Sequence, residues 1–296
     1  MNKLSICVIT MNRASQVCEA LKSCLNCTLP DDTVFIIVDN GSTDNTELVI
    51  KDLLSKSKYN YIYKKLPHNV GVGPGRNICF NLANSGYSYY LDDDAIVDPK
   101  CYKTFFTLAL SIFESYKQVA SITTTIKDPA TDRNPIIAKT WKIEQYPCIL
   151  MYHGGSHFLR NSVFIERSAL YDNIKYGSEE LSPSIYAYDK GYCNIYMSNI
   201  NIIHCPKYNK WKQSSESLLQ LTAGYCRNQF YIKKNILPLI FIPVVYVAYK
   251  ARLIKYFNRF QLPETVNASF PTITQKFRIK IFNCTKLFIQ FGFKIF

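Results

Sequence analysis

Leu91-Asp92-Asp93-Asp94-Ala95 puts three carboxylates side by side. Neighbouring carboxylates repel, and they repel least where a cation or a ring of donors faces them. The aromatic run Gly86-Tyr87-Ser88-Tyr89-Tyr90 that leads into them has strand character. In an extended chain Asp92 and Asp94, two apart, point to the same side. Two oxygens aimed at one point suit a hard divalent ion that takes its other ligands from water and a substrate diphosphate. Taken alone, the triplet also reads as a solvated acidic turn or as a helix N-cap at Asp94.

The elements before the triplet decide between these readings. Leu4–Thr10 and Val34–Val38 are short apolar runs that read as buried strands, each ending in a polar turn: Met11-Asn12-Arg13 and Asp39-Asn40-Gly41-Ser42-Thr43-Asp44. Helical spacing covers 14–25, with Val17, Ala20, Leu21 and Leu25 on one side, and a second helix is expected over 45–55. Tyr59–Lys64 is a third strand. Strands alternating with helices predict a parallel sheet covered on both faces. Such sheets bind ligands beyond the carboxyl ends of their strands, where Asn12-Arg13, Asp39 and Asp92–Asp94 all fall.

Val70-Gly71-Val72-Gly73-Pro74-Gly75-Arg76-Asn77 alternates its glycines and follows the third strand, so it is not the G-x-G-x-x-G fingerprint, and no P-loop lysine follows. A dinucleotide cofactor and an ATPase are thereby excluded. The expectation is a loop whose backbone approaches a ligand, with Arg76 beside it as a phosphate or base contact. Gly154-Gly155 interrupts the strand-like run 149–160 and reads as a second close approach, while His153 and His157 read as structural. Glu179 and Glu180 open a helix that runs to Lys190, where acidic residues also complement the helix dipole.

The 296 residues are 48% hydrophobic, enough for a sizeable core, and carry a formal net charge of +13. That surplus points to an anionic partner. Eleven cysteines, several in apolar runs, read as reduced thiols, and the lone Cys24-x-x-Cys27 lacks a second pair at zinc spacing. With a strand starting directly after Met-Asn-Lys, no signal peptide is read and a cytoplasmic location is expected. The uncharged stretch 236–249 is too short to span a bilayer. Beyond it, bases and aromatics interleave, among them Lys250, Arg259, Phe260, Lys276 and Phe293, against one acid, Glu264. That mixture suits an anionic membrane surface, which makes a peripheral position on the inner face of the cell membrane the expectation.

The succession Val8-Ile9-Thr10-x-Asn12-Arg13, Val38-Asp39-Asn40-Gly41-Ser42-Thr43-Asp44, Asn69-x-Gly71-x-Gly73-x-Gly75-Arg76-Asn77 and Leu91-Asp92-Asp93-Asp94 resembles the family 2 glycosyltransferases. Gly154-Gly155-x-x-x-Leu159-Arg160, Tyr176-Gly177-x-Glu179-Glu180, Ile202-Ile203-His204 and Arg227-Asn228 match its later elements in order, so the resemblance spans about 3–235. It implies the α/β A-type nucleotide-sugar fold, with a mostly parallel sheet flanked by helices. Residues 1–98 would form the nucleotide-sugar half and 99–235 the acceptor half, followed by a helical basic extension over 236–296.

The resemblance implies donor contacts from Thr10, Asn12, Arg13, Asp39, Gly71, Arg76, Asp92 and Asp93, with Asp39 accepting from the nucleotide base. It implies Mg²⁺ or Mn²⁺ on Asp94, with Asp92 and His204 as further ligands. Glu180 would be the general base and Glu179 the next candidate. The donor would be a nucleotide sugar, a UDP-sugar first, and the acceptor a glycan, a glycolipid or a peptide. Where the family often continues with Asp and Arg after the acidic pair, this chain has Ser182 and Tyr186. The chemistry suits an inverting, metal-dependent transfer. A non-catalytic nucleotide-sugar-binding module is the alternative. A nucleic-acid partner is not expected, because the acidic triplet sits badly in a phosphate channel.

Overall fold

β1 (Asn2–Thr10), β2 (Thr33–Asp39), β3 (Asn60–Lys65) and β4 (Ser85–Asp92) pair in parallel in the order β3-β2-β1-β4. Every residue of β2 is buried, as in a strand covered on both faces. α1 (Ala14–Leu25), α2 (Thr46–Ser55) and α3 (Val72–Leu82) make the crossovers. α1 buries Val17, Ala20 and Leu21 of the stripe its spacing predicts, with Cys24 buried beside them and Leu25 half-buried. The register sets Thr10 beside Asp39 and Ile9 beside Asp92, so the three strand ends lie level at one rim.

This computed structural model describes residues 2–128, 134–167, 169–174, 177–205, 215–258, 261 and 277–296. Tyr176, Arg259, Phe260, Glu264 and Lys276, singled out above, lie outside the described residues.

The chain continues through β5 (Ala95–Val97), α4 (Phe105–Ser115), β6 (Val119–Lys127), β7 (Ile137–Ile143), β8 (Tyr146–Ile149) and β9 (Ser156–Arg160). Then come α5 (Leu181–Asp189), β10 (Cys193–His204), α6 (Ser215–Ile236), α7 (Ile242–Phe257) and α8 (Ile281–Phe291). β9 enters antiparallel between β4 and β6, so the sheet is parallel in its first half and mixed beyond it. β10 runs parallel to β6 and pairs antiparallel with β5 and β8. It is one continuous strand, with a register shift against β6 between Met197 and Asn201. β5 and β7 were not expected: one is three residues long, and the other is mostly exposed, with no apolar alternation to reveal it.

Tyr89 of β4 packs edge-on against Phe105 and Phe106 of α4, with Phe158 of β9 closing the cluster. His157 sits in the core, stacked on Tyr90 and hydrogen-bonded to Tyr171, in keeping with a structural role. All eleven cysteines are free thiols. Among the described residues no helix is long and apolar enough to cross a membrane.

Candidate functional site

The first turn at the rim is stitched from within. Asp39 is fully buried; its Oδ1 accepts from the Ser42 amide at 2.7 Å and its Oδ2 from the Tyr63 hydroxyl. Asn12, at φ +53°, accepts from the Thr43 amide at 2.8 Å and donates its own amide to Ser42 Oγ at 2.9 Å. Thr10, the last residue of β1, is buried beside Asp39. These residues fix the loop from 39 to 44 against the end of β1.

The acidic triplet does not aim Asp92 and Asp94 at one point. β4 ends at Asp92, and Asp93 and Asp94 form the turn into β5, so the two-residue strand period no longer holds. The three carboxylates divide between two guanidiniums. Asp92, 37% exposed, accepts from Arg76 Nη2 at 3.1 Å. Arg13 Nη1 bridges Asp93 Oδ1 at 2.7 Å and Asp94 Oδ2 at 2.8 Å. Burial raises the Asp93 pKa to about 6 against the pull of Arg13, and the Asp94 charge adds to the rise.

Asp94 has a second neighbour. The antiparallel pairing of β5 with β10 sets His204 opposite Ala95, and its Nε2 lies 3.2 Å from Asp94 Oδ1. His204 Nδ1 in turn meets Asp128 Oδ2 at 2.8 Å. A carboxylate holding one ring nitrogen while the other faces an oxygen donor is the usual support of a metal-ligating histidine. Among the described residues no three His, Cys, Asp or Glu side chains converge as a complete cage. Asp94 and His204, here in direct contact, are the two side chains of this turn that could contribute ligands to an ion whose shell diphosphate and water complete, and Asp92 sits apart from that pair on Arg76.

Arg76 is the hub of the site. It lies on α3, 4% exposed, with Nη1 2.9 Å from Glu179 Oε1 and 2.7 Å from Glu180 Oε1, and with Nη2 also 2.9 Å from Gly154 O. Burial by itself would lower the Arg76 pKa; Glu179, Glu180 and Asp92 outweigh it and hold the group firmly charged. Glu180 stands at the N-cap of α5. Burial and then the neighbouring Glu179 raise its pKa to about 8, against the opposing pull of Arg76. Glu179 Oε2 is buried with no hydrogen-bond partner among the described residues.

The glycines admit close packing of the chain on itself. A Cβ on Gly154 would stand 1.9 Å from Glu180 Oε1, and one on Gly155 would stand 3.1 Å from Asp92 Oδ2. A Cβ on Gly73 would meet Asp172 O at 2.4 Å, and one on Gly75 would meet Ile9 at 3.1 Å. The chain thus approaches itself at these positions: glycine lets carboxylates and α3 pack closely. Gly71, at φ +94°, turns the chain into α3 and accepts from Asn40 Nδ2 at 3.3 Å.

The sequence reading passed over two participants, Asp128 and Gln229, and named Asn228 without its contact. Asp128 follows the carboxyl end of β6, so the rule that selected Asp39 and Asp92 also applied to it. Asn228 Nδ2 donates to Gly177 O at 2.9 Å and Gln229 Nε2 to Ser178 Oγ at 3.0 Å, bracing the turn that presents Glu179 and Glu180. That bracing had no sequence signal beyond Asn228 itself. A cleft of about 330 Å³ lined by Trp141, Tyr188, Cys193 and Lys286 lies at the opposite, amino end of β6 and β10 and takes no part in this cluster.

Residues 5–163 match glycosyl transferase family 2. An uncharacterized glycosyltransferase of Methanocaldococcus jannaschii is 26% identical over 186 residues, 62% of each chain, so this chain spans about three-fifths of that relative's length. S. aureus TarS 1–349 in complex with UDP-GlcNAc superposes with a TM-score of 0.62 at 16% identity, covering 86% of this chain and 73% of that one. The mannosyltransferase PcManGT from Pyrobaculum calidifontis, in complex with GDP-Man and Mn²⁺, gives a TM-score of 0.60 at 14% identity, covering 85% and 72%. The shared architecture is the A-type glycosyltransferase fold, a mixed sheet flanked by helices with a helical C-terminal region.

Proposed function

The chain belongs to glycosyl transferase family 2, and from that premise we propose that this glycosyltransferase works by one inverting displacement at the rim of β1, β2 and β4. A nucleotide sugar, a UDP-sugar first, lies over Thr10, Asn12, Arg13 and Asp39 with its diphosphate toward the acidic turn. Its sugar lies between Asp92 and Glu180. Glu180 takes the proton from the acceptor hydroxyl as that oxygen bonds to the anomeric carbon. The bond from that carbon to the diphosphate breaks on the opposite face, the nucleoside diphosphate leaves, and configuration inverts. Glu180 then returns its proton to solvent.

Asp94 and His204 are the residues we assign to Mg²⁺ or Mn²⁺, with Asp92 held apart from them on Arg76. Such an ion, when bound, neutralises charge on the leaving diphosphate. The Mn²⁺ in the mannosyltransferase complex supports that choice. Within the chain, Arg13 holds Asp93 and Asp94 apart from Asp92, and Arg76 fixes Asp92 relative to Glu180.

The observation that carries the reading is the sharing of one buried guanidinium by Asp92, on the donor side, and Glu180, on the acceptor side. It puts the two halves of the reaction within one side chain's reach. The acceptor is a glycan, a glycolipid or a peptide, met at the cytoplasmic face of the membrane. A panel of nucleotide sugars with Mn²⁺, scored by release of nucleoside diphosphate in the presence of candidate acceptors, tests the reading. Turnover that a Glu180→Gln variant retains at full rate overturns the assignment of the base, and no turnover with any donor overturns the reaction.

A further inference from the structure

Of the large hydrophobic side chains left exposed among the described residues, most belong to the last quarter of the chain, including Leu239, Tyr246, Val247, Ile254, Phe282 and Phe293. They are not scattered. In α7, Val245 and Leu253 face inward, while Pro243, Val247, Lys250 and Ile254 recur at helical spacing on the far side. In α8, Cys284, Leu287 and Phe291 pack inward, and Ile281, Phe282, Lys286 and Ile289 point out. Each helix is thus apolar on both faces, and its outer face is studded with lysine.

The charge is of one sign. Residues 237–258 and 277–296 contain lysines and arginines and not one Asp or Glu. The two arginines Arg252 and Arg278 turn inward to backbone carbonyls at Phe296 and Leu237. The lysines stay outside, and three lie over aromatic rings: Lys250 over Tyr246 at 5.1 Å, Lys255 over Tyr256 at 5.3 Å and Lys286 over Phe282 at 4.2 Å. Lysine is depleted in the cores of protein–protein interfaces. Lysine heads beside aromatic rings, on stems that lie along apolar surface, match the boundary between lipid headgroups and acyl chains.

We propose that the outer faces of α7 and α8 dock the protein onto an anionic lipid bilayer. Val247, Ile254, Phe282, Ile289 and Phe293 enter the headgroup–acyl boundary, and Lys250, Lys255, Lys286 and Lys294 meet lipid phosphates. α7 packs on α6, and α6 holds Gly177 and Ser178 through Asn228 and Gln229, so the docking helices are tied to the turn that carries Glu180. This deepens the acceptor side of the transferase reading by naming the surface on which that acceptor resides. The test is read as binding without turnover, so it fails or stands separately from the chemistry.

The full chain is sedimented with vesicles of phosphatidylglycerol and phosphatidylcholine, and with vesicles of phosphatidylcholine alone. It is expected to pellet with the anionic vesicles only, and less so as salt rises from about 0.1 M to about 0.5 M. A Phe282→Ser/Ile289→Ser/Phe293→Ser variant, altered only at side chains 68%, 58% and 72% exposed, should keep its circular dichroism and stay in the supernatant. Lys250→Glu/Lys286→Glu should bind at least about thirtyfold more weakly. A wild-type chain that ignores anionic vesicles, or variants that bind them as wild type does, overturns the proposal. So does a wild-type dimer that the serine variant converts to monomer, which assigns the face to a second copy of the chain.

Discussion

Arg76 and Glu180 meet inside the protein, Nη1 to Oε1 at 2.7 Å, with side chains 4% and 8% exposed. The same guanidinium reaches Glu179 and Asp92. A buried cation facing three carboxylates is a costly arrangement to disturb, because removing it leaves Glu179, Glu180 and Asp92 crowded together without the guanidinium that holds them. Breaking a buried pair from one side costs roughly 3–5 kcal/mol. Arg76→Met is therefore expected to lower unfolding stability by about that much in a urea titration. Arg76→Lys keeps the charge and loses the fork that reaches Asp92 and Glu180 at once. It should fold, bind donor, and release nucleoside diphosphate about a hundredfold more slowly. An Arg76→Lys enzyme at wild-type rate would show that the shared guanidinium does not position the reacting groups.

The pH dependence follows from Glu180. Its pKa of about 8 means that much of the base carries a proton at neutral pH in the free enzyme. The rate kcat/KM should climb about tenfold per pH unit on its acidic limb and level off above about pH 8. The stability effect has the opposite sign. A carboxyl whose folded pKa exceeds its unfolded value of 4.5 favours folding most when protonated. That contribution is complete below about 4.5, shrinks as pH rises, and is gone above about 8. Glu180→Gln should flatten this part of the stability profile while abolishing the climbing limb of the rate. A wild-type limb near the ordinary carboxylate range would mean that another group accepts the proton.

The parallel half of the sheet was legible because its strands are uninterrupted apolar runs that end in polar turns, and Asp39 and Asp92 could be placed at a rim by that rule alone. What the sequence hid was side-chain direction once a strand stops. The period of two holds to Asp92 and fails at the turn of Asp93 and Asp94, so the expectation that Asp92 and Asp94 converge was misplaced. Arg76 reads as a phosphate or base contact beside a glycine-rich loop; its burial against Glu179, Glu180 and Asp92 was not legible, because it depends on Gly73 and Gly75 letting α3 sink against its neighbours. The bracing by Gln229 has no local signature, and Asp128 shows only its place after a strand end, not its partner His204, because both contacts depend on elements brought together across the chain.

Gly154 offers a test of position from the backbone side. A Cβ at this site would strike Glu180 Oε1 at 1.9 Å and the Arg76 guanidinium nitrogens at 2.9 and 3.0 Å, while the backbone at Gly154 does not need a left-handed conformation. Gly154→Ala should therefore push Glu180 and Arg76 apart, lowering the melting temperature through their buried contact and displacing Glu180. An ångström of displacement at a reacting group is worth on the order of a hundredfold in rate. The loss should fall on kcat, with donor affinity by calorimetry preserved. An alanine variant with wild-type kcat would place the proton-accepting group elsewhere than at Glu180.

The cation assignment is tested at Arg13. In the free chain Arg13 neutralises Asp93 and Asp94, and His204 covers the other oxygen of Asp94. A divalent ion at Asp94 and His204 competes with Arg13 for that carboxylate. Arg13→Met removes the competitor and leaves Asp93 and Asp94 repelling each other. That variant should melt earlier than wild type without metal and gain more on adding Mn²⁺, since a ligand that binds only the folded chain stabilises it in proportion to its affinity. Asp94→Asn and His204→Ala should each erase the Mn²⁺-dependent shift while retaining the fold. Chelation should then silence nucleoside diphosphate release in wild type, and Mn²⁺ should restore it. If the Mn²⁺ shift survives in both Asp94→Asn and His204→Ala, the ion is held by other residues and the acidic turn serves the donor through Arg13 alone.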